Sequence, residues 1–191
     1  EPERLRSYAN IIRTENERLR TQVERVLQLS TLDRDELQLK RDAVDMHKVL
    51  REVASSFSVQ LAERDGLLTT EAGATNAVVQ GDAVHLTNAV FNLVDNAMKY
   101  SPERPDIRIS TENKGGVLRI AVQDHGLGIK REDQKHIFER FYRVHTGNVH
   151  NVKGFGLGLH YVQQIAQAHK GRVEVSSEPG AGSTFTLELP V

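Results

Sequence analysis

Two glycine clusters in this 191-residue chain sit where a backbone could meet an anion. The first, Asp124-His125-Gly126-Leu127-Gly128-Ile129, follows a stretch of alternating polarity that reads as a strand. The second, Gly154-Phe155-Gly156-Leu157-Gly158-Leu159, runs directly into a helical pattern. Glycine lets a backbone approach a ligand closely. A glycine-rich loop that opens a helix offers unpaired N–H groups and the positive end of the helix dipole, and a phosphate chain is the natural guest. Taken alone, either cluster reads equally well as turn-making glycine. The second is no dinucleotide fingerprint, because no strand precedes it and no βαβ unit surrounds it. The lysine-serine ending of a phosphate-binding P-loop is also missing.

A second constellation is polar. Asn92 and Asn96 lie four apart in a helical pattern and share a face, with Lys99 three further on. Asparagine is a poor helix-interior residue. Two of them beside a lysine suggest a site, since an amide oxygen can ligate Mg²⁺ and a lysine can meet phosphate as a point charge. The competing interpretation is an exposed polar face.

The elements that must hold these residues are legible in outline. Residues 1 to about 36 predict one long helix, with Leu5, Ile12, Leu19 and Val26 recurring every seventh position. Such a narrow stripe suits a partner helix in a bundle better than packing on its own domain. Residues 37–191 predict a separate α/β domain. Leu37–Lys40 and Ala43-Val44 suggest a short strand, and Asp45 caps a helix carrying Val49, Leu50, Val53, Phe57 and Leu61, which Gly66 ends. Leu67–Ala72 and Ala77–Gln80 read as two strands joined at Gly73. Asp82 opens a helix that runs to Tyr100 and stops at Ser101-Pro102. Ile107–Thr111 and Val117–Val122 alternate around the turn Lys114-Gly115-Gly116. A short helix is expected over Arg131–Glu139, a mobile loop over Tyr142–Lys153, a helix over Leu157–His169, and a last hairpin from Arg172–Ser176 and Thr184–Leu189. The fold class is a two-layer α/β sandwich, a mixed sheet with helices on one face.

Four segments, taken together, resemble those of a known family. Asn92-Leu93-Val94-Asp95-Asn96-Ala97-Met98-Lys99-Tyr100-Ser101 resembles the N box of sensor histidine kinases. The cluster at Asp124–Ile129 resembles their G1 box, Ile137-Phe138-Glu139-Arg140-Phe141-Tyr142-Arg143 their F box, and Gly154–Leu159 their G2 box. The similarity covers residues 37–191 closely. The N-terminal stretch more weakly resembles the second helix of the dimerisation and phosphotransfer hairpin.

The resemblance implies a Bergerat-type site for ATP and Mg²⁺. Asp124 would accept the adenine amino group, with Thr184 assisting through water, and Gly126 and Gly128 would shape the floor beside Ile129. Asn96 would hold Mg²⁺, with Asn92, Lys99 and Tyr100 near the phosphates. Tyr142–Lys153 would form an ATP lid hinged at Gly154, Gly156 and Gly158. Phe138, Lys153, Phe155, Leu157 and Leu159 would complete the nucleotide-binding set. Arg140 and Arg143 are both candidates to stabilise γ-phosphate charge during transfer, so the catalytic set is Asn92, Lys99, Arg140 and Arg143.

What is missing also informs. The family's acceptor is a histidine followed by an acidic residue. None of the eight histidines here has that neighbour, and none lies in the N-terminal stretch. The acceptor helix is therefore expected outside this chain, which starts at Glu1 without methionine, as a piece of a longer protein would. His145 and His150 are spaced too uninformatively to argue a metal. The implied partners are the protein's own dimerisation and phosphotransfer domain, in a homodimer, and the receiver domain of a response regulator. The alternative is an ATP hydrolase of the same superfold, of gyrase, mismatch-repair or chaperone type. Those resemble one another in placing a glutamate one helical turn before the Mg²⁺ asparagine, to activate water. Asn92 occupies that place and cannot take a proton. A non-catalytic nucleotide-binding module is a third reading. The net charge of -1 gives no basic footprint for nucleic acid or an anionic membrane, and the absence of cysteine excludes disulfides and thiolate chemistry. No run reaches the ~18 apolar residues of a membrane span. A cytoplasmic site, on the inner side of a membrane-bound sensor, is the expectation.

Overall fold

Two aspartates start two helices, as their positions dictate. Asp45 Oδ1 accepts the backbone N–H groups of His47 and Lys48 at 2.9 and 3.2 Å and opens α1, Met46–Ser56. Asp82 Oδ1 does the same for Val84 and His85, at 3.0 and 3.2 Å, and opens α3, Ala83–Tyr100. This computed structural model describes residues 39–101, 103–144 and 155–191, together with Tyr8, Ile12 and Arg13. The chain falls into two units, Glu1–Gln38 and Leu39–Val191. In the first, the described residues Tyr8, Ile12 and Arg13 are helical and exposed. The rest of the expected heptad stripe lies outside the described residues.

In the second unit, α1 does not run on to Leu61. It stops at Ser56, and a separate short helix α2, Ser58–Ala62, follows the turn at Phe57. The apolar period continues through the break, because Phe57 and Leu61 are both buried. Strand β1 is Asp42–Asp45. The two strands expected around Gly73 form as β2, Leu67–Ala72, and β3, Val78–Gly81, yet they do not pair with each other. Strand β3 pairs antiparallel with β1, while β2 lies parallel to β4, Asp106–Lys114. Strands β5, Val117–Asp124, β6, Arg172–Glu178, and β7, Gly182–Pro190, complete a five-stranded mixed sheet in the order β2-β4-β5-β7-β6. The expected helix over Arg131–Glu139 shrinks to one 3₁₀ turn, Asp133–Lys135. Helix α4 is Gly158–Ala168.

Strand alternation sorts the sheet. Ile107, Ile109, Leu118, Ile120, Val122, Phe185, Leu187 and Leu189 are buried on one face. Against them pack Leu86, Val90, Leu93, Val94 and Met98 of α3 and Val162 and Ile165 of α4, also buried. At ~1.5–3 kcal/mol per large side chain buried, this interface outweighs the ~1 kcal/mol of either cap. The opposite face carries charge: Glu188 of β7 lies between Arg119 Nε of β5 at 3.0 Å and an Arg172 terminal nitrogen of β6 at 2.9 Å.

Candidate nucleotide-binding site

The amphipathic split of α3 builds one wall. Leu93, Val94, Ala97 and Met98 are buried, whereas Asn92, Asp95, Asn96, Lys99 and Tyr100 form a half-buried polar stripe. The Asn92 amide nitrogen donates to the Asn88 carbonyl at 2.8 Å, one turn back, which fixes the direction of its oxygen. That oxygen faces the start of α4: a Cβ placed on Gly158 would lie 2.9 Å from Asn92 Oδ1. Among the described residues none hydrogen-bonds to the Asn96 side chain. Lys99 pairs with Asp95 one turn earlier, the favourable order along a helix.

The floor comes from the turn after β5. Asp124 is 4% exposed, and its Oδ1 accepts the Gly126 N–H at 2.8 Å. Burial pushes its carboxyl above the ordinary range, against the opposing pull of N–H groups from Gly126 and Ser183 and of the His125 charge. The turn docks on the end of α3, where the Tyr100 carbonyl accepts the Leu127 N–H at 3.0 Å. At Gly128 the backbone is left-handed, φ +66°, and a Cβ would run into the Glu178 carbonyl, so only glycine closes this turn.

The register of β7 corrects one expectation. Asp124 lies opposite Ser183, and Thr184 lies opposite Gln123. Directly opposed residues point to the same face, so Thr184 faces away from Asp124 and Ser183 is its true neighbour. Ser183 belongs to a cluster that no sequence motif marks. Ser177 Oγ donates to the Gly182 carbonyl at 2.8 Å, accepts the Ile129 N–H at 2.8 Å, and lies 3.0 Å from Ser183 Oγ. Gln134 Nε2 donates to the carbonyls of Ile129 and Ser177, both at 2.8 Å, and ties the same loop from below. The signal for these residues is pairing across the turn at Pro179–Gly182, which needs the strand register and not a motif.

The third wall is the segment Ile137–Arg143. Phe138 sets its ring edge-on to Phe185 of the core, with centroids 6.5 Å apart. Tyr142 donates its hydroxyl to Asp133 Oδ1 at 2.6 Å, which pushes that phenol up to about 12. Arg140 donates from Nε to His160 Nε2 at 2.9 Å. The Arg143 guanidinium lies within electrostatic reach of Tyr100, where it partly offsets the upward push of burial on the phenol. The Phe141 N–H donates to the Gly156 carbonyl at 3.1 Å, joining the two ends of the stretch between. Of that stretch, His145, His150, Lys153, Gly154 and most of the expected lid lie outside the described residues. Phe155 is exposed, Leu157 is buried, and Leu159 is half-buried beside it.

The structure therefore brings the N-box stripe, the turn at Asp124–Ile129, the segment around Arg140 and the first turn of α4 around one end of the sheet. Among the described residues no group of three histidine, cysteine, aspartate or glutamate side chains could hold a metal by itself. An amide such as Asn96 fits an ion bound mainly by nucleotide oxygens.

A family model described as histidine kinase-, DNA gyrase B-, and HSP90-like ATPase matches residues 81–191. The chain belongs to that family. Similar proteins include one named a sensor protein and one named a sensor-like histidine kinase. The sensor protein RprX of Bacteroides fragilis is 43% identical over 192 residues, spanning 100% of this chain and 37% of that protein. The sensor-like histidine kinase SenX3 of Mycolicibacterium smegmatis is 38% identical over 190 residues, spanning 100% of this chain and 49% of its own. The chain thus spans less than half the length of these relatives. Among solved structures, full-length ShkA in complex with AMPPNP superposes with a TM-score of 0.85 at 28% identity, over 97% of this chain and 38% of that one. Histidine kinase ThkA in complex with the response regulator TrrA superposes with a TM-score of 0.76 at 26% identity, over 100% of this chain and 52% of that one. As a member of this family the chain carries the ATP-binding catalytic domain of the histidine kinase type. Among the described residues no helix is long and apolar enough to cross a membrane.

Proposed function

We propose that this domain binds Mg²⁺-ATP and passes the γ-phosphate to a histidine on a dimerisation and phosphotransfer domain, for relay to an aspartate of a response-regulator receiver. Asp124 selects adenine through its buried carboxylate, with Ser183 beside it. Asn96 would hold Mg²⁺, which screens phosphate charge when bound. Asn92, Lys99 and Tyr100 line the phosphates, Gly156 and Gly158 bring the start of α4 close to them, and Arg140 and Arg143 stabilise the charge that develops on transfer. Lys153 and Gly154 belong to the same proposal by sequence alone. The protein works as a homodimer at the cytoplasmic side of a membrane-bound sensor.

The observation that carries the transfer reading is Asn92. It stands one turn before Asn96, where a hydrolase of this superfold needs a carboxylate to activate water. An amide cannot take that proton. An imidazole acceptor needs no such base, because it attacks with its own lone pair. Residues 1–36, for which the sequence pattern predicts a helix, would be the second helix of the phosphotransfer hairpin.

The test uses γ-labelled ATP. This chain should bind ATP and label itself negligibly, since in-line attack needs an acceptor held at the phosphate. A longer chain that adds the upstream helix should gain acid-labile, base-stable phosphate on one histidine. Robust labelling of one of the eight histidines present here would overturn the assignment of the acceptor.

A further inference from the structure

His160 lies outside the glycine and asparagine motifs, yet both of its ring nitrogens are engaged. It lies in the first turn of α4, 9% exposed. Its Nε2 is 2.9 Å from Arg140 Nε, and its Nδ1 is 3.0 Å from the Phe138 carbonyl oxygen. The donor inventory fixes the roles. Arginine Nε–H can only donate, so Nε2 must carry the lone pair. The Phe138 carbonyl can only accept, so Nδ1 must carry the proton. The ring is therefore neutral, in one tautomer, and braces the segment 138–140 against the helix that opens at Gly158.

Geometry gives that brace a direction. A bond at Nε, the inner nitrogen of the guanidinium, sets the plane of the whole fork and hence the line along which its terminal nitrogens can reach an anion. Arg140 is itself largely exposed. An exposed arginine left to itself samples many rotamers, and fixing one before the ligand arrives removes an entropic cost of binding.

We propose that His160 is a positioning residue for Arg140, a neutral imidazole that holds the guanidinium oriented toward the γ-phosphate of bound nucleotide. The proposal rests on the reading of Arg140 as a γ-phosphate contact. Loss of the acceptor should therefore weaken ATP and spare ADP. Phenylalanine at position 160 keeps a ring of similar size and removes the acceptor. Glutamine replaces the acceptor with an amide oxygen at a similar reach.

The test is calorimetric binding of Mg²⁺-ATP and Mg²⁺-ADP to the 191-residue chain and its variants. Arg140→Ala should lower the preference for ATP over ADP by about tenfold, the size of one charge-assisted hydrogen bond. His160→Phe should lower it to a similar degree with ADP affinity unchanged, His160→Gln should restore most of it, and His160→Phe added to Arg140→Ala should lower it no further. If Arg140→Ala lowers the preference and His160→Phe does not, the positioning role is overturned and the reading of Arg140 stands. If His160→Phe weakens ATP and ADP equally, the ring is a packing element only and the proposal is overturned. If Arg140→Ala leaves the preference unchanged, the reading of Arg140 falls and the proposal falls with it.

Discussion

Asp124 Oδ1 accepts the backbone N–H of Gly126 at 2.8 Å, so the carboxylate that ends β5 also shapes the first turn of the loop beyond it. Under the proposed function the same group reads adenine. Asp124→Asn should cost ~2–3 kcal/mol of ATP affinity, because a buried acceptor becomes a mixed donor and acceptor facing the same amino group. Titration calorimetry with ATP and GTP checks this. The parent should prefer ATP and the variant should bind both weakly. Equal affinities in the parent would remove Asp124 from base selection.

The cost of burying that carboxylate should appear in the pH dependence of folding. Folding raises the Asp124 carboxyl above its ordinary 3.8, chiefly through burial. A raised carboxyl favours the folded state most below that value, and the contribution is lost as pH climbs through the raised one. Asp124→Asn abolishes this titration. The stability of the variant relative to the parent should therefore improve as pH rises from about 3.8 toward neutrality, as followed by urea melts at several pH values. A difference that does not vary with pH over this window would mean that the site stays hydrated.

Asn96 offers a cleaner separation of binding from folding. It is half-buried on the polar stripe of α3, and among the described residues nothing hydrogen-bonds to its side chain. Asn96→Ala should leave the melting temperature unchanged or slightly higher, since alanine is the better helix former by up to ~0.7 kcal/mol. Mg²⁺-dependent enhancement of ATP binding should fall by at least about tenfold. If the variant binds Mg²⁺-ATP as tightly as the parent, the ion is held by other groups.

How far the sequence revealed this depended on whether a feature is local. Asp45 and Asp82 act within three residues, so both helix starts could be read directly. The polar stripe of Asn92, Asn96 and Lys99 follows from helical spacing. Pairing across long separations could not be read that way. Gly73 looked like a hairpin turn, but β2 found a parallel partner in β4 and β3 found β1, because strand partners depend on the whole sheet. Thr184 and Ser183 cannot be told apart without the register, because a shift of one residue moves a side chain to the other face. His160 and Arg140 are 20 positions apart and meet through tertiary packing, which no motif encodes.

Gly158 and Gly128 should separate a functional glycine from a structural one. At Gly158 a Cβ would meet Asn92 Oδ1 at 2.9 Å, the movable end of a side chain, and α4 gains from alanine's helix propensity. Gly158→Ala should therefore change stability by less than about 1 kcal/mol. It should also turn Asn92 out of line and lower ATP affinity by about tenfold. At Gly128 the obstruction is backbone. The residue sits at φ +66° and its Cβ would collide with the Glu178 carbonyl. A left-handed alanine costs ~1–2 kcal/mol, and forcing two loops apart adds ~1–3 kcal/mol. Gly128→Ala should thus lose ~2–5 kcal/mol of stability, with ATP binding falling only as the folded fraction falls. Thermal melts run with and without ATP on both variants read the two effects side by side. If Gly158→Ala loses stability on the scale of Gly128→Ala, the close approach of α3 and α4 is a packing requirement, and Asn92 has no adjustable place at the phosphates.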